Sequence, residues 1–376
     1  MAWRDQTVVD QRLEFVSFCM QPGANIRELC RRYEVSPTIA YKWMARYRSE
    51  GAAGLEDRPR RRHHQPQRTA APCEAAVMAV REANPAWGAR KIGRVLRNAG
   101  MREVPALSTI TAIVRRHGQL SPAPAAPGPF KRFERGAPNQ LWQMDFKGHF
   151  ALAAQRCHPL TILDDHSRFS LATRACSDER EETVRAELER VFRCYGLPDC
   201  MLMDNGSPWG SHEDSLYTRL TVWLLRLEIK VTHGAAYHPQ TQGKLERFHR
   251  TLKAEVLNGR QFSTLSQAQA EFDRWRQVYN YQRPHQALEL AVPASRYVPS
   301  PRAFPAHLPP VEYGPDDQPR KVQQGGMIYF RKRAIKVGKA FVGESVALRP
   351  TLADGAYEVF FGRHQIKQID LRSSPS

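Results

Sequence analysis

Residues 237–253 read Y-H-P-Q-T-Q-G-K-L-E-R-F-H-R-T-L-K. After the glycine, apolar residues recur every three or four positions at Leu245, Phe248 and Leu252, and this period predicts a helix with one buried face. Glu246 lies beside that face, so its carboxylate is expected at the edge of the sheet that the helix covers. Basic side chains on the outward face are expected to bind an anionic partner: Arg247, Arg250 and Lys253.

Two earlier stretches place an aspartate on a predicted strand or at its end. Residues 141–146, L-W-Q-M-D-F, carry Asp145 inside a strand, and residues 200–206, C-M-L-M-D-N-G, carry Asp204 where a strand meets a turn. A carboxylate inside a sheet is costly unless it is paired or bound to a metal. Together with Glu246, these acids offer the hard oxygen ligands that suit Mg²⁺ or Mn²⁺. Three carboxylates are enough to hold two such ions for in-line phosphoryl transfer.

The surroundings of these stretches predict an α/β domain over residues 137–300. Three hairpin-linked strands come first, and helices and strands then alternate, which predicts a mixed five-stranded sheet covered by helices. The tail, residues 324–371, has short strands separated by glycine and aspartate turns and predicts a small five-stranded, SH3-like barrel. Its first hairpin carries a basic cluster that is expected to contact DNA: Arg331, Lys332 and Arg333.

Residues 1–57 predict a helix-turn-helix module. Ser36 stands where a helix cap is expected, and Pro37 suits the first helical position. The turn carries Glu34 where a glycine is common, and a plain helical hairpin is the alternative. Ile39 is expected in the buried stripe of the second helix. The outer face of that helix offers side chains to a DNA major groove: Thr38, Tyr41, Lys42 and Arg46.

Residues 71–120 predict a second helix-turn-helix module, in which Ser108 is expected to cap the second helix. Basic residues outside its apolar stripes are expected to bind DNA: Arg90, Lys91 and Arg115. The basic linker between the modules, residues 58–70, is either a solvated connection or a contact to phosphates or a minor groove. In the second case its contacts come from Arg60, Arg61 and Arg62.

The net charge of +18 is unevenly distributed along the chain. Residues 1–135 carry a net +12, residues 136–300 a net +1 and residues 301–376 a net +5. Basic flanks around a nearly neutral centre predict a polyanionic partner, and double-stranded DNA is the common one. Proline-rich stretches predict linkers at 121–136 and 301–323.

Length and composition exclude several classes of protein. The 376 residues, 41% of them hydrophobic, allow several packed domains and exclude wholesale disorder. No apolar run approaches the ~18 residues of a membrane span, and the N-terminus lacks the apolar stretch of a signal peptide. Seven cysteines without a C-x-x-C pair predict reduced thiols. The expected location is therefore a cytoplasm, without a membrane partner; the resemblance of the three acidic stretches to a bacterial family implies a bacterial cytoplasm, in association with the nucleoid.

The three acidic stretches resemble the catalytic blocks of insertion-sequence transposases of the DDE, or retroviral-integrase-like, superfamily. L-W-Q-M-D-F, M-L-M-D-N-G-S-P and Y-H-P-Q-T-Q-G-K-L-E-R-F-H-R-T-L-K carry the resemblance, and N-Y-Q-R-P-H-Q-A-L downstream is similar as well. The third block is the most specific, because it is long and compositionally improbable. The resemblance covers residues 130–300, and the tandem helical modules upstream agree with it.

This resemblance implies an RNase H-like fold in which Asp145, Asp204 and Glu246 hold two divalent ions. It implies cleavage at the terminal inverted repeats of a mobile element and joining of the 3′-OH ends to target DNA. Joining two ends in one event is expected to need a dimer or a higher multimer on the paired ends. Further contacts near the acids are expected from Asn205, Tyr237, His238 and Lys244.

Two features depart from the family. The spacer between Asp204 and Glu246 holds 41 residues, which is longer than usual, and the surplus is expected in a surface turn over residues 209–217. The His/Cys zinc module of retroviral integrases is missing, so no zinc is expected. Glu255, the other acid on the third-block helix, lies half a turn out of phase with Glu246. A substitution of Glu255 is therefore expected to be nearly silent.

Two other functions compete with transposition. A catalytically lapsed DNA-binding regulator of the same fold is the main alternative, and the complete set of three acids argues against it. A plain nuclease is the second, and tandem DNA-reading modules exceed what non-specific hydrolysis needs.

Overall fold

The chain forms two compact units, Met1–Arg68 and Thr69–Ser376. The computed structural model describes residues 7–58, 69–120, 134–210, 217–233 and 243–372. Five predicted site residues lie outside the described ranges: Arg60, Arg61, Arg62, Tyr237 and His238.

The first unit is a three-helix bundle, with one helix more than the predicted pair. Glu34 takes the left-handed conformation that a glycine would favour, with a φ of 52°, and so it forms the tight turn. Ser36 Oγ accepts a hydrogen bond from the backbone N–H of Ile39, and Pro37 opens the next helix, as the sequence predicts. The helices are α1 Val8–Cys19, α2 Ile26–Arg32 and α3 Pro37–Glu50.

The buried apolar stripe predicted for α3 includes one residue, Ile39, that is exposed. Ile39 is 45% exposed, whereas Ala40, Trp43 and Met44 are buried. The inward face is centred on these three residues because α1 supplies Phe15 and other apolar side chains to the same core. Ile39 is thereby left at the edge of the helix, beside the face predicted to meet DNA.

The second helical module belongs to the second unit and also has three helices. Its core joins Trp87, Ile92, Ile110 and other apolar side chains. The third helix begins two residues earlier than predicted, so Ser108 lies inside it and makes no cap; Ala106 holds the cap position. The helices are α4 Ala71–Ala83, α5 Ala89–Asn98 and α6 Leu107–Arg116.

A six-stranded mixed sheet follows, in the order β2-β3-β1-β5-β6, with β4 paired to β3. It has one strand more than predicted, because a two-residue strand pairs with β3. β1, β3 and β4 are antiparallel neighbours, whereas β1, β5 and β6 run parallel. The strands are β1 Trp142–Phe146, β2 Phe150–Ala151, β3 Arg156–Asp164, β4 Ser170–Cys176, β5 Cys200–Met203 and β6 Lys230–His233.

Helices cover both faces of this sheet, as an α/β core requires. On one face, α7 and α8 pack apolar residues such as Val184, Leu188 and Trp223 onto the strands. On the other face, Leu245, Phe272 and their neighbours from α9 and α10 form a separate core. The helices are α7 Glu181–Tyr195, α8 Arg219–Arg226, α9 Gly243–Leu252 and α10 Leu265–Tyr281.

The C-terminal part is all-β, as predicted: residues 324–371 hold the five expected strands, and β7, in the stretch expected as a linker, adds a sixth. Four strands form a sheet in the order β12-β11-β10-β7, and β8 and β9 form a hairpin. Its core continues onto Val222 and Leu225 of α8. The strands are β7 Gln318–Lys321, β8 Met327–Phe330, β9 Arg333–Lys336, β10 Ser345–Pro350, β11 Ala356–Phe361 and β12 His364–Asp370.

The stretch expected as a linker at 301–323 is attached to the rest of the second unit at several points. Arg302 donates hydrogen bonds to the carbonyl oxygens of Pro198 and Leu227, at 2.8 Å and 2.9 Å. Further along, Pro319 is accommodated in β7, which is an edge strand and needs fewer backbone donors. Proline density therefore marks a segment without helices here, but not a free tether.

No helix within the described ranges is long and apolar enough to cross a membrane. The seven cysteines are all free thiols, as predicted.

Candidate active site

Asp145 and Asp204 lie on neighbouring strands at one edge of the mixed sheet. β1 and β5 are parallel, with Gln143 opposite Leu202. Two residues further along each strand lead to Asp145 and Asp204. The carboxyl ends of parallel strands are the usual position of functional groups in open α/β sheets.

The hydroxyl group of Thr161 links α9, the helix that carries Glu246, to the backbone of Asp145. Thr161 of β3 stands opposite Asp145 and donates from Oγ1 to the carbonyl oxygen of Asp145 at 2.9 Å. The same Oγ1 lies 2.7 Å from His249 Nε2 of α9 and, having one hydrogen, accepts from that ring nitrogen. Burial lowers the pKa of His249 to about 4, so the ring stays neutral at pH 7. Glu246 lies three residues before His249, on the same side of α9.

The charges of these acids act on one another. The pKa of Asp145 is raised to about 7, chiefly by burial and then by the negative charge of Asp204. Smaller contributions come from Glu179 and Glu246, while the backbone N–H of Phe146 acts in the opposite direction. Asp145 is therefore a half-buried carboxyl surrounded by like charges.

These carboxylates repel one another, and a bound divalent cation would stabilise them. A bound cation cancels the repulsion that raises the pKa of Asp145, and oxygen donors without a thiolate suit Mg²⁺ or Mn²⁺. Within the described ranges, no three His, Cys, Asp or Glu side chains already stand in ligand positions around one point. The charges of Asp204 and Glu246 thus act on Asp145, but the three side chains do not form a ligand cage.

The loop after β5 fixes Asp204. The backbone N–H of Gly206 donates to Asp204 Oδ1 at 3.0 Å, and His233 Nδ1 lies 2.8 Å from the Asp204 carbonyl oxygen. A Cβ atom on Gly206 would stand 3.3 Å from Asp204 Oδ2, so the glycine permits this close turn. Asn205, predicted as an auxiliary residue, follows directly and is half-buried.

Lys244 was expected to contact DNA, but its ammonium group is paired within the protein. Its ammonium forms an ion pair with Asp165, whose side chain is fully buried. Asp165 also accepts from Gln143 Nε2 and from the backbone N–H of Arg135, each at 2.8 Å. This network ties the start of α9 to β1.

Glu255 was expected to tolerate substitution, and the structure contradicts that expectation. Its side chain is 10% exposed and accepts hydrogen bonds from Trp275 Nε1 and Arg283 Nε, both at 2.9 Å. A residue that points away from Asp145 and Asp204 can still be buried and paired, because a helix such as α9 has more than one covered side.

The remaining predicted DNA contacts occupy separate surfaces. In the first module, Thr38, Tyr41 and Lys42 are exposed, and Arg46 lies 5.0 Å from the ring centre of Trp43. Further basic side chains are exposed on α9, on the turn that follows it and on the β8–β9 hairpin: Arg247, Arg250, Lys253, Arg331, Lys332 and Arg333.

The three DNA contacts predicted in the second module differ in their exposure to solvent. Arg90 and Arg115 are exposed, whereas Lys91 is half-buried. The ammonium of Lys91 lies 4.0 Å from Glu255 Oε1, in the catalytic core.

One acid near the site was missed from the sequence. Glu179 follows β4 and contributes to the raised pKa of Asp145, and its carboxylate lies 2.8 Å from His158 Nδ1. Its position in the acidic run S-D-E-R-E-E gave no sign that this residue, rather than its neighbours, faces the sheet edge.

Several protein-family profiles match the chain. Residues 135–239 and 227–293 match profiles described as integrase core domain. Residues 317–375 match the C-terminal domain of IS481 family transposases. Residues 11–63 match a helix-turn-helix domain, and residues 39–114 match a homeodomain-like domain.

Relatives among curated proteins come from insertion elements and retroviruses. The "Insertion element IS407 uncharacterized 31.7 kDa protein" of Burkholderia multivorans is 30% identical over 159 residues, which cover 42% of this chain and 55% of that protein. The corresponding 39.2 kDa protein of insertion element IS476 from Xanthomonas euvesicatoria is 29% identical, covering 42% and 44%. The Gag-Pro-Pol polyprotein of Simian retrovirus SRV-2 is 32% identical over 116 residues, covering 31% and 6%. The chain spans about half the length of the insertion-element relatives.

Solved structures with a partial likeness are retroviral integrases. The HTLV-2 integrase catalytic core in complex with magnesium has a TM-score of 0.31 at 16% identity, covering 43% of this chain and 97% of that one. A chain of the simian T-cell lymphotropic virus intasome, solved with the PP2A regulatory subunit B56 gamma, has a TM-score of 0.36 at 16% identity, covering 78% and 99%.

Proposed function

Because the chain belongs to the insertion-sequence transposases of the retroviral-integrase-like superfamily, we propose that it is a DNA transposase that cleaves the ends of a mobile element and joins their 3′-OH groups to target DNA. The observation that carries this proposal is electrostatic: the charges of Asp204 and Glu246, which come from two other elements, both raise the pKa of Asp145. Asp145 comes from β1, Asp204 follows β5, and Glu246 comes from α9.

Asp145, Asp204 and Glu246 would hold two Mg²⁺ or Mn²⁺ ions. When bound, such ions lower the pKa of a water or 3′-hydroxyl nucleophile and stabilise the leaving oxygen. The chain itself supplies the negative ligands, holds Asp204 through Gly206 and His233, and holds α9 through Thr161. No zinc site forms part of the proposal.

DNA is the proposed partner at both stages of the reaction. The helix-turn-helix modules would bind the terminal inverted repeats, and the exposed cations that follow the active site on α9 would bind phosphates: Arg247, Arg250 and Lys253. Two ends must be joined in one event, so the active form would be a dimer or a larger multimer assembled on DNA. The bacterial insertion-element relatives support action on DNA in a bacterial cytoplasm.

The test is a matched pair of charge removals. Glu246→Gln keeps the size of the side chain and removes the charge that binds a divalent ion, so it should abolish end cleavage and strand transfer in Mg²⁺ or Mn²⁺. Binding to end DNA and the unfolding temperature should be retained. Glu182→Gln makes the same chemical change on the exposed surface of α7 and should leave all four measurements unchanged.

Two outcomes would overturn the proposal. Full strand transfer by Glu246→Gln would remove this residue from the active site. End binding by the wild-type chain without cleavage in either metal would instead support the lapsed DNA-binding regulator.

A further inference from the structure

The second helical module, residues 71–118, is packed on the catalytic core along one side of α5. Val278 of α10 packs against the apolar core of the module. Arg94 Nη2 donates to the carbonyl oxygen of Glu289 at 2.8 Å, and Lys91 lies 4.0 Å from Glu255 Oε1. Lys91 and Arg94 are three residues apart, so both point from the same side of α5.

The acid at this junction is continuous with the catalytic helix. Glu255 lies in the π-helical turn Lys253–Leu257, which directly follows α9. Trp275 of α10 and Arg283, which follows α10, both donate hydrogen bonds to its carboxylate. The module is thus attached to the end of the helix whose first turn carries Glu246.

Lys91 is poorly suited to bind a phosphate from this position. Burial lowers its pKa to about 8, with a further contribution from the neighbouring guanidinium of Arg283, while Glu255 acts in the opposite direction. Arg115, in contrast, is exposed on α6. Arg116 beside it forms an ion pair with Glu74 at 2.8 Å.

We propose that α5 is a docking helix: Lys91 and Arg94 hold the second module on the catalytic core, and the module meets DNA through α6 and the exposed Arg90. The DNA-contacting part of this inference rests on the proposed function, whereas the docking part does not. The docked module holds α6 at a set distance from Asp145, Asp204 and Glu246. It therefore acts as a spacer that determines which phosphodiester of a bound duplex reaches the active site.

The first experiment compares two double variants that each remove two positive charges. Lys91→Ala/Arg94→Ala removes the docking pair, and Arg90→Ala/Arg115→Ala removes the exposed pair. Binding to a 40-base-pair DNA duplex is measured over a range of salt concentrations. Each lost phosphate contact reduces the slope of log affinity against log salt by about 0.9. The exposed-pair variant should lose about two contacts, and the docking-pair variant should keep the wild-type slope.

The second experiment is amide hydrogen exchange on the full chain without DNA. Loss of docking should raise exchange both in α5 and in residues 283–291, which form the other side of the junction. A purely local effect on α5 would leave residues 283–291 unchanged. The exposed-pair variant should match the wild type at both places.

The docking proposal stands if the docking-pair variant raises exchange at residues 283–291. Unchanged exchange there would overturn it, and so would a reduced salt slope for that variant. If the wild-type chain bound no duplex, the proposed function would fail, while the exchange experiment would still decide whether α5 docks.

Discussion

The helix that begins at Gly243 and its continuation connect a group of three acids to a single buried acid, and the two ends differ in how the negative charge is balanced. At one end, Glu246 joins Asp145 and Asp204, and like charges help to raise the pKa of Asp145 to about 7. At the other end, Glu255 is paired with Arg283 and Trp275. A buried acid that is paired with positively charged or hydrogen-bond-donating side chains stabilises the fold. A cluster of acids without such partners destabilises the folded state and is typical of a functional site.

The largest effect should come from the unbalanced end. Asp204→Asn preserves the shape of the side chain and removes one of the charges proposed to bind metal, so DNA strand transfer should fall to below about a thousandth of the wild-type rate. The free energy of unfolding should change by less than about 0.5 kcal/mol or become more favourable to the folded state. Single-turnover strand transfer and denaturant unfolding measure the two quantities. Loss of both activity and stability would erase the difference between the two ends.

The balanced end should respond in the opposite way. Glu255→Ala leaves the guanidinium of Arg283 and the indole N–H of Trp275 without their partner. The folded state should therefore lose about 3 kcal/mol of stability. Glu246→Ala, on the exposed side of α9, is the matched control and should lose less than about 1 kcal/mol. If Glu255→Ala unfolds at the wild-type denaturant concentration, the hydrogen bonds of Glu255 with Arg283 and Trp275 do not stabilise the folded state.

The pH dependence of stability should distinguish the two ends as well. The pKa of Asp145 is higher in the folded chain than in the unfolded chain, so this residue favours folding at low pH. That contribution is fully present below about pH 4 and is lost as pH rises through about 7. In metal-free buffer, Asp145→Asn should gain stability relative to the wild type between pH 5 and pH 8. A constant difference across these pH values would contradict the assigned electrostatics.

The smallest effect should arise in the other compact unit, in the first helical module. Lys42→Ala/Arg46→Ala should weaken binding to the ends of the element by about 1–3 kcal/mol. The rate of strand transfer at saturating DNA should be unchanged, because neither residue belongs to the acid cluster. Competition binding against unrelated DNA measures the loss of specificity. Unchanged footprints on end DNA would remove this module from the recognition of ends.

The three acids proposed for the active site stand out in the sequence because each one breaks its local pattern. Asp145 interrupts an apolar strand, Asp204 stops a buried one, and Glu246 borders the stripe of a helix. Strand pairing then brings Asp145 beside Asp204, which the order of elements along the chain already allowed. Helix caps and turns followed local rules at Ser36 and Glu34.

Apart from the helix cap expected at Ser108, the errors concern contacts between distant parts of the chain. Burial of Glu255 depends on Arg283, which lies 28 positions later in the sequence, and no local period indicates that pairing. The docked side of α5 depends on α10 in the same way. Ile39 is exposed because α1 covers a neighbouring part of α3. Edge strand β7 was mistaken for linker because prolines on a sheet edge look like prolines in a tether.

The central claim is that Asp145, Asp204 and Glu246 are held together in order to bind a divalent ion. Thermal unfolding of the wild type and of Asp145→Asn, at pH 8 with and without MnCl₂, tests it directly. Without metal, Asp145→Asn should unfold at the wild-type temperature or higher, because a repelled carboxylate is gone. With Mn²⁺, the wild-type unfolding temperature should rise while that of Asp145→Asn stays in place. An equal rise in both proteins, or no rise in either, would contradict the claim.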